Sequence, residues 1–249
     1  MRILLNGCMG RMGHAVAALA AQRGDTVAAG VDVASGEAAF PIYASPAAVT
    51  EAVDAVIDFS SPAALAEELA YVTEKGLPLV LCTTGLSEEQ LAAVKDAATK
   101  VPVFFSSNMS LGVAVLSALT KKAAAVLGDT FDIEIVEMHH NQKLDAPSGT
   151  ALMLAEAARA GLAYEPEYTY DRHTRRQKRD KKEIGIASLR GGTVVGEHSV
   201  LFAGEQEVIT LSHSAQSRSV FAGGALTAAK FLVGKPAGLY SMEDILTDI

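Results

Sequence analysis

The sequence predicts an α/β protein in two parts: a parallel sheet wound with helices, then a smaller α+β domain whose sheet is mixed and mostly antiparallel. Three observations carry that expectation. Through the first 110 residues, short apolar runs alternate with helical, alanine-rich segments, the rhythm of a parallel sheet built from βα units. Runs such as Asp54-Ala55-Val56-Ile57-Asp58-Phe59 are nearly continuous in apolar residues, as strands covered on both faces must be. After residue 180 the strand-like segments follow one another at glycine turns with no helix between them.

Taken in order, Arg2–Asn6 reads as a short strand, and Gly7-Cys8-Met9-Gly10-Arg11-Met12-Gly13 leads from it into an alanine-rich helix that Gly24-Asp25 breaks. Thr26–Val31 is the next strand and ends at Asp32. This βαβ unit carries Gly-x-x-Gly-x-x-Gly where the usual dinucleotide fingerprint is Gly-x-Gly-x-x-Gly, Met9 standing for the middle glycine. The strand before it, the helix after it and an acid beyond the following strand make a Rossmann-type nucleotide domain the reading. Glycines let the backbone approach a pyrophosphate resting on the helix N-terminus, and Asp32 would accept hydrogen bonds from the adenosine ribose hydroxyls. Further strands end in polar residues at Asp58-Phe59-Ser60, Cys82-Thr83-Thr84 and Ser106-Ser107-Asn108. Strand C-termini line the ligand crevice of such sheets, so these are the expected cofactor walls. Ser87 with Gln90 forms a capping box for the helix between the last two.

Composition excludes several functions. Nearly half of the 249 residues are hydrophobic, so a core is easily built. A net charge of −8, no Trp and few other aromatics argue against nucleic-acid binding. No apolar run would span a membrane and no signal-peptide pattern opens the chain, so a cytoplasmic protein is expected. Two cysteines, Cys8 and Cys82, make no disulfide framework.

The pattern changes after the long helix Leu111–Leu127. A strand beginning near Phe131 runs into Glu137-Met138-His139-His140-Asn141-Gln142-Lys143-Leu144-Asp145-Ala146-Pro147-Ser148-Gly149-Thr150-Ala151, and a helix follows. Two imidazoles and an ammonium thus leave a strand end just before a helix N-terminus. There Ser148, Gly149 and Thr150 present backbone N–H groups suited to a carboxylate. Proton-transfer groups beside an anion cradle fit a small acidic substrate. Adjacent histidines on a strand face opposite ways and lack further ligands at metal spacing, so no metal is expected. The basic stretch 171–182 reads as a solvated loop or as electrostatic attraction for an acidic substrate and cofactor phosphates, with nucleic acid a poor third because the run is short and the rest of the chain acidic.

The string Glu-x-His-His-x-x-Lys-x-Asp-Ala-Pro-Ser-Gly-Thr-Ala closely resembles the signature of the dihydrodipicolinate reductase (4-hydroxy-tetrahydrodipicolinate reductase) family. Gly10-Arg11-Met12-Gly13, Cys82-Thr83-Thr84-Gly85, Asn108-Met109-Ser110-Leu111-Gly112-Val113, residues 190–198 and residues 213–218 resemble the family in the same order, so the resemblance spans the chain. It implies an oxidoreductase of the diaminopimelate and lysine route that moves hydride from NADH or NADPH to a cyclic imine dicarboxylate. It implies His139 as proton donor or acceptor and Lys143 as proton donor, with His140, Ser148, Gly149, Thr150 and Arg218 binding substrate. The cofactor would meet Gly7, Cys8, Met9, Gly10, Arg11, Met12, Asp32, Cys82, Thr83, Thr84, Ser106, Ser107, Asn108 and Met109. Cys82 departs from the family's glycine and sets a Cβ where backbone meets cofactor. Residues 1–110, completed by 220–249, would bind the dinucleotide. Residues 111–219 would bind substrate and assemble a homotetramer. With Asp32 at the ribose and no cation in Val33-Ala34-Ser35-Gly36, NADH should be preferred and NADPH accepted. Two rivals share the first domain: another NAD-linked dehydrogenase of a small dicarboxylate, and a non-catalytic dinucleotide sensor using Cys8 or Cys82 as a redox reporter.

Overall fold

A computed structural model describes residues 1–106 and 108–247, in two compact units: Met1–Ser110 with the segment from Arg218 onward, and Leu111–Ser217. In chain order the first unit opens with β1 (Arg2–Asn6), α1 (Arg11–Gln22), β2 (Thr26–Val31), β3 (Ile42–Tyr43) and β4 (Ala55–Asp58). It continues with α2 (Leu65–Lys75), β5 (Leu79–Leu81), α3 (Glu88–Ala98) and β6 (Pro102–Phe105). The second unit holds α4 (Leu111–Leu127), β7 (Asp132–His139), α5 (Gly149–Arg159), β8 (Glu167–Thr169), β9 (Glu183–Arg190), β10 (Gly196–Ala203) and β11 (Val208–Ala215). The chain then returns to the first unit as α6 (Ser219–Leu232), β12 (Gly238–Tyr240) and α7 (Met242–Thr247).

The first sheet has the order β12-β6-β5-β4-β1-β2-β3 and every pairing in it is parallel. The order reverses between β1 and β4, and ligands bind beyond the strand ends at such a switch point. The apolar runs are continuous because both faces are covered. Leu4, Val56, Leu79, Leu81 and Val103 pack under Leu65, Leu69 and Val72 of α2 and Val94 of α3, while α6 lies against β4, β5 and β6. Ser87 caps α3 through the expected capping box. The two-residue β3 and the three-residue β12 were not anticipated, being too short for a periodic signal.

The second sheet runs β11-β10-β7-β9-β8. It is mixed, but evenly so: β10 pairs antiparallel with β7 and β11, while β9 pairs parallel with β7 and β8. The expectation of a mostly antiparallel sheet is corrected here. β9 and β10 do not form a hairpin across Gly191-Gly192, because β7 inserts between them. Two strands joined by a glycine turn look like a hairpin in sequence, and only the longer-range pairing with β7 decides otherwise. One face is closed by α4 and α5, with Leu116, Leu154, Ile133, Ile135, Ile184, Ile186, Val200 and Phe202 in the core. Along β7 burial alternates, so Ile133, Ile135, Glu137 and His139 face the helices. Val136, Met138, Ala187, Leu189, Leu201 and Val208 are on the other face.

The basic stretch is neither a free loop nor a free cationic surface. Arg172 bridges Glu134 and Glu183, Arg175 reaches Glu183, and Arg179 reaches Asp132 and Glu134. These side chains staple residues 171–182 to β7 and β9, so most of their charge is spent within the fold. Among the described residues no helix is long and apolar enough to cross a membrane.

Candidate active site

The glycine turn is shaped by two glycines. Gly7 has φ +72°, and a Cβ there would stand 2.5 Å from the Phe59 carbonyl oxygen. A Cβ on Gly13 would stand 2.3 Å from the Gly7 carbonyl oxygen, so only glycine lets α1 come this close to the turn. The outer side of Gly10 is open, with the Gly7 carbonyl oxygen the only atom within 4 Å of an added Cβ. Met9 fits in place of the middle glycine because its side chain turns away over Gly36. Its N–H donates to Asp32 Oδ2 at 2.8 Å, and Ala34 N–H donates to Oδ1 at 2.9 Å. Asp32 therefore braces the loop as well as bordering it. Gly7, Met9, Gly10 and Asp32 line one cavity of about 410 Å³ with Phe59, Ser60 and Ser61. Arg11, Met12, Cys82, Thr83, Thr84, Ser106, Asn108 and Met109 line another of about 530 Å³, also with Phe59 and Ser60. Ser60 Oγ is buried with no hydrogen-bond partner among the described residues. An open backbone cradle at a helix N-terminus with cavities beyond it fits a dinucleotide. Ser107 lies outside the described residues.

Cys8 is placed differently from its neighbours. Its side chain is buried and lies against Gly30, so it packs behind the loop and only its backbone belongs to the turn. Burial, with Asp32 adding, pushes its thiol up to about 11. Burial, reinforced by Asp58 and Glu68, also pushes the Cys82 thiol well above its ordinary value. A redox reporter needs the opposite, a stabilised thiolate. Under this wall Thr83 donates its hydroxyl to Asp58 Oδ2, and Asn6 donates to Glu68.

In the second unit the strand β7 ends at His139. Glu137, two residues back and on the same face, is fully buried. It accepts from both terminal nitrogens of Arg190 at 2.8 Å, from Ser148 N–H at 3.1 Å and contacts His139 Nδ1 at 2.6 Å. Burial alone would raise this carboxyl, but hydrogen bonds from Arg190, His139 and Ser188 outweigh it and hold it at about 2. Ser148 caps α5 by accepting Ala151 N–H, and its Oγ lies 2.8 Å from His198 Nε2. The hydroxyl is thus committed inside the protein, which leaves the anion cradle to Gly149 and Thr150 at the first two helical positions. His198 meets the His139 ring edge-on at 5.1 Å. Burial, and then His139, lower His198 to about 4, so it is neutral near pH 7. The next residue, His140, has a buried Nδ1 with no hydrogen-bond partner among the described residues. Lys143 N–H closes a turn onto the His140 carbonyl, and its Nζ pairs with Asp145 at 2.8 Å. The structure therefore gathers His139, His140, Lys143, Ser148, Gly149 and Thr150 at one end of the second unit. Arg218 immediately precedes α6, in the first unit. Among the described residues no group of three or more His, Cys, Asp or Glu is arranged to hold a metal.

The family models for the dihydrodipicolinate reductase N-terminus and C-terminus match residues 1–109 and 112–246. The chain belongs to the dihydrodipicolinate reductase family. It is 52% identical over 247 residues to the 4-hydroxy-tetrahydrodipicolinate reductase of Caldanaerobacter subterraneus subsp. tengcongensis, covering 99% of this chain and 98% of that one. It is 45% identical to the enzyme of the same name from Clostridium tetani, over 99% and 97% of the two chains. Among solved structures, the dipicolinate-bound dihydrodipicolinate reductase from Paenisporosarcina sp. TG-14 superposes with a TM-score of 0.81 at 25% identity, covering 98% and 99%. Three residues of this reductase site received no role from sequence: Glu137, Arg190 and His198. The first was legible, since Glu-x-His on a strand puts both side chains on one face. The other two come from neighbouring strands and depend on register.

Proposed function

We propose that the protein reduces 4-hydroxy-tetrahydrodipicolinate to tetrahydrodipicolinate with NADH or NADPH, in diaminopimelate and lysine biosynthesis. One observation carries the reading: His139, His140 and the Lys143 turn meet the Ser148-capped N-terminus of α5 at one strand end. That is acid–base chemistry beside an anion cradle, and dipicolinate, bound by the relative of known structure, is a planar dicarboxylate. Bound dinucleotide supplies the hydride, and the first unit holds it through Gly7, Met9, Gly10, Arg11, Met12, Asp32, Thr83, Thr84, Asn108 and Met109. In the second unit, Gly149 and Thr150 hold one substrate carboxylate by backbone N–H groups. His140 binds the substrate beside them. Lys143 and His139 are the proton donors as the reduced ring gains hydrogen and loses water, and Lys143 offsets negative charge developing on the ring nitrogen. NADH is the preferred cofactor because Asp32 stands at the ribose and repels a 2′-phosphate. The enzyme works as a cytoplasmic homotetramer assembled through the second unit. The test is loss of NADH and NADPH absorbance with enzymatically generated substrate. Turnover of the cyclic imine with higher kcat/KM for NADH is expected; NADH binding without turnover would sink the reading.

A further inference from the structure

We propose that Glu137 is a positioning residue that holds hydrogen on His139 Nδ1, leaving Nε2 as the one nitrogen that takes up a proton, forming the imidazolium, and passes it to substrate. The inference deepens the reading of His139 as a proton donor and rests on it.

The first support is the character of the Glu137 carboxylate. Two guanidinium nitrogens and the Ser148 N–H, donors with no acceptor capacity, converge on it, and the Ser188 hydroxyl joins them. Such a cage stabilises only the ionised form, which accepts and never donates. The 2.6 Å contact to His139 Nδ1 therefore carries its hydrogen on the imidazole. The second support is on the far side of the ring. Gly196 opens β10 beside Nε2, and a Cβ there would lie 3.0 Å from that nitrogen. Glycine thus keeps uncovered the nitrogen that Glu137 leaves without a bond. The third is the partner ring. Ser148 Oγ accepts Ala151 N–H and also shares a 2.8 Å hydrogen bond with His198 Nε2. His198 is fixed in orientation and lies edge-on to His139, which restrains the plane of the catalytic ring.

The same carboxylate registers the other parts of the site. Through Ser148 N–H it holds the start of α5, where the cradle is. Through Arg190, whose Nη2 also donates to the Asp145 carbonyl at 2.7 Å, it holds the loop that carries Lys143. A purely structural role, an ion pair tying β7 to β9, predicts lost stability but no effect on which nitrogen carries hydrogen.

The test uses the full-length protein labelled with ¹⁵N-histidine, the His139 signals being assigned by their loss in His139→Gln. In the unsubstituted protein, neutral His139 should show a protonated Nδ1 and a bare Nε2; the opposite pattern overturns the proposal without needing any variant to fold. Glu137→Gln leaves one acceptor oxygen for donors that now share two. It should lower kcat at least about tenfold, the usual effect of removing a residue that orients a working histidine. NADH affinity should be unchanged, and the His139 spectrum should move to a mixture of tautomers. Native kcat, or a loss of kcat with an unaltered tautomer, would show that Glu137 does not position the ring. If His139→Gln itself keeps native kcat, proton transfer by His139 fails and the proposal falls with it, an outcome distinct from the other two.

Discussion

At the scale of single residues, the site depends on side chains that do two things at once. Asp32 accepts from Met9 N–H and Ala34 N–H, so its carboxylate braces the glycine turn while bordering the cavity beside it. Asp32→Ala removes both. KM for NADH should rise roughly ten- to a hundredfold, the range of one hydrogen bond to a charged group. NADPH should suffer less, because a repulsion disappears with the carboxylate. Steady-state kinetics with both cofactors measure this, and an unchanged NADH to NADPH ratio would remove Asp32 from cofactor selection. Lys143 is the complementary case. Its Nζ is held by Asp145 alone among the described ion pairs, an arrangement easily exchanged for a substrate carboxylate or ring nitrogen. Lys143→Ala should cut kcat by roughly 10²–10⁴-fold, the scale of general acid catalysis, with NADH affinity intact. These residues were legible in sequence because each sits at a strand end in a short motif. The committed hydroxyl of Ser148 was not, since its partner His198 lies fifty residues away on β10.

At the scale of elements, the ends of β1, β4 and β5 share a buried polar knot. Asn6 from β1 meets Glu68 of α2, and Asp58 from β4 takes the hydroxyl of Thr83 just beyond β5. Glu68 is buried with one oxygen unpartnered, and burial, reinforced by Asp58, raises its carboxyl well above the ordinary value. The sign of the consequence follows from proton counts. Above the ordinary carboxyl range the unfolded chain has lost this proton while the native state retains it. Stability therefore falls as pH rises from about 4.5 toward the raised native value, at up to about 1.4 kcal/mol per pH unit for one proton. Glu68→Gln keeps the shape and removes the titration. Its amide nitrogen also gains a use beside the unpartnered Asn6 Oδ1. Relative to the unsubstituted protein, Glu68→Gln should become more stable as pH rises above the ordinary carboxyl range in denaturant titrations. Two stability curves that stay parallel would refute a proton held on Glu68. Neither carboxylate stands out in sequence. Glu68 lies in an ordinary amphipathic helix, and nothing in its spacing says that this one turn faces Asp58.

At the scale of the whole molecule, the wound parallel sheet was readable because continuous apolar strands, glycine turns and capping residues all agree there. The second sheet was readable in kind but not in order, because the β7 insertion between β9 and β10 is a long-range pairing with no local mark. That order has a consequence for assembly. With α4 and α5 on one face, the opposite face presents Val136, Met138, Ala187, Leu189, Leu201 and Val208 around the Ser199–Ser212 hydrogen bond. Leu189 is 50% and Val208 59% exposed, and a five-stranded sheet with apolar side chains on its open face is the kind of surface that self-association buries. The 26.0 kDa chain should scatter light as a tetramer at micromolar concentration. Leu189→Lys sets a charge among these apolar side chains and should drive the protein to smaller species, while NADH binding, a property of the other unit, persists. A native protein that scatters as a monomer would sink the assembly, and a Leu189→Lys protein that remains tetrameric would move the interface away from this face of the sheet.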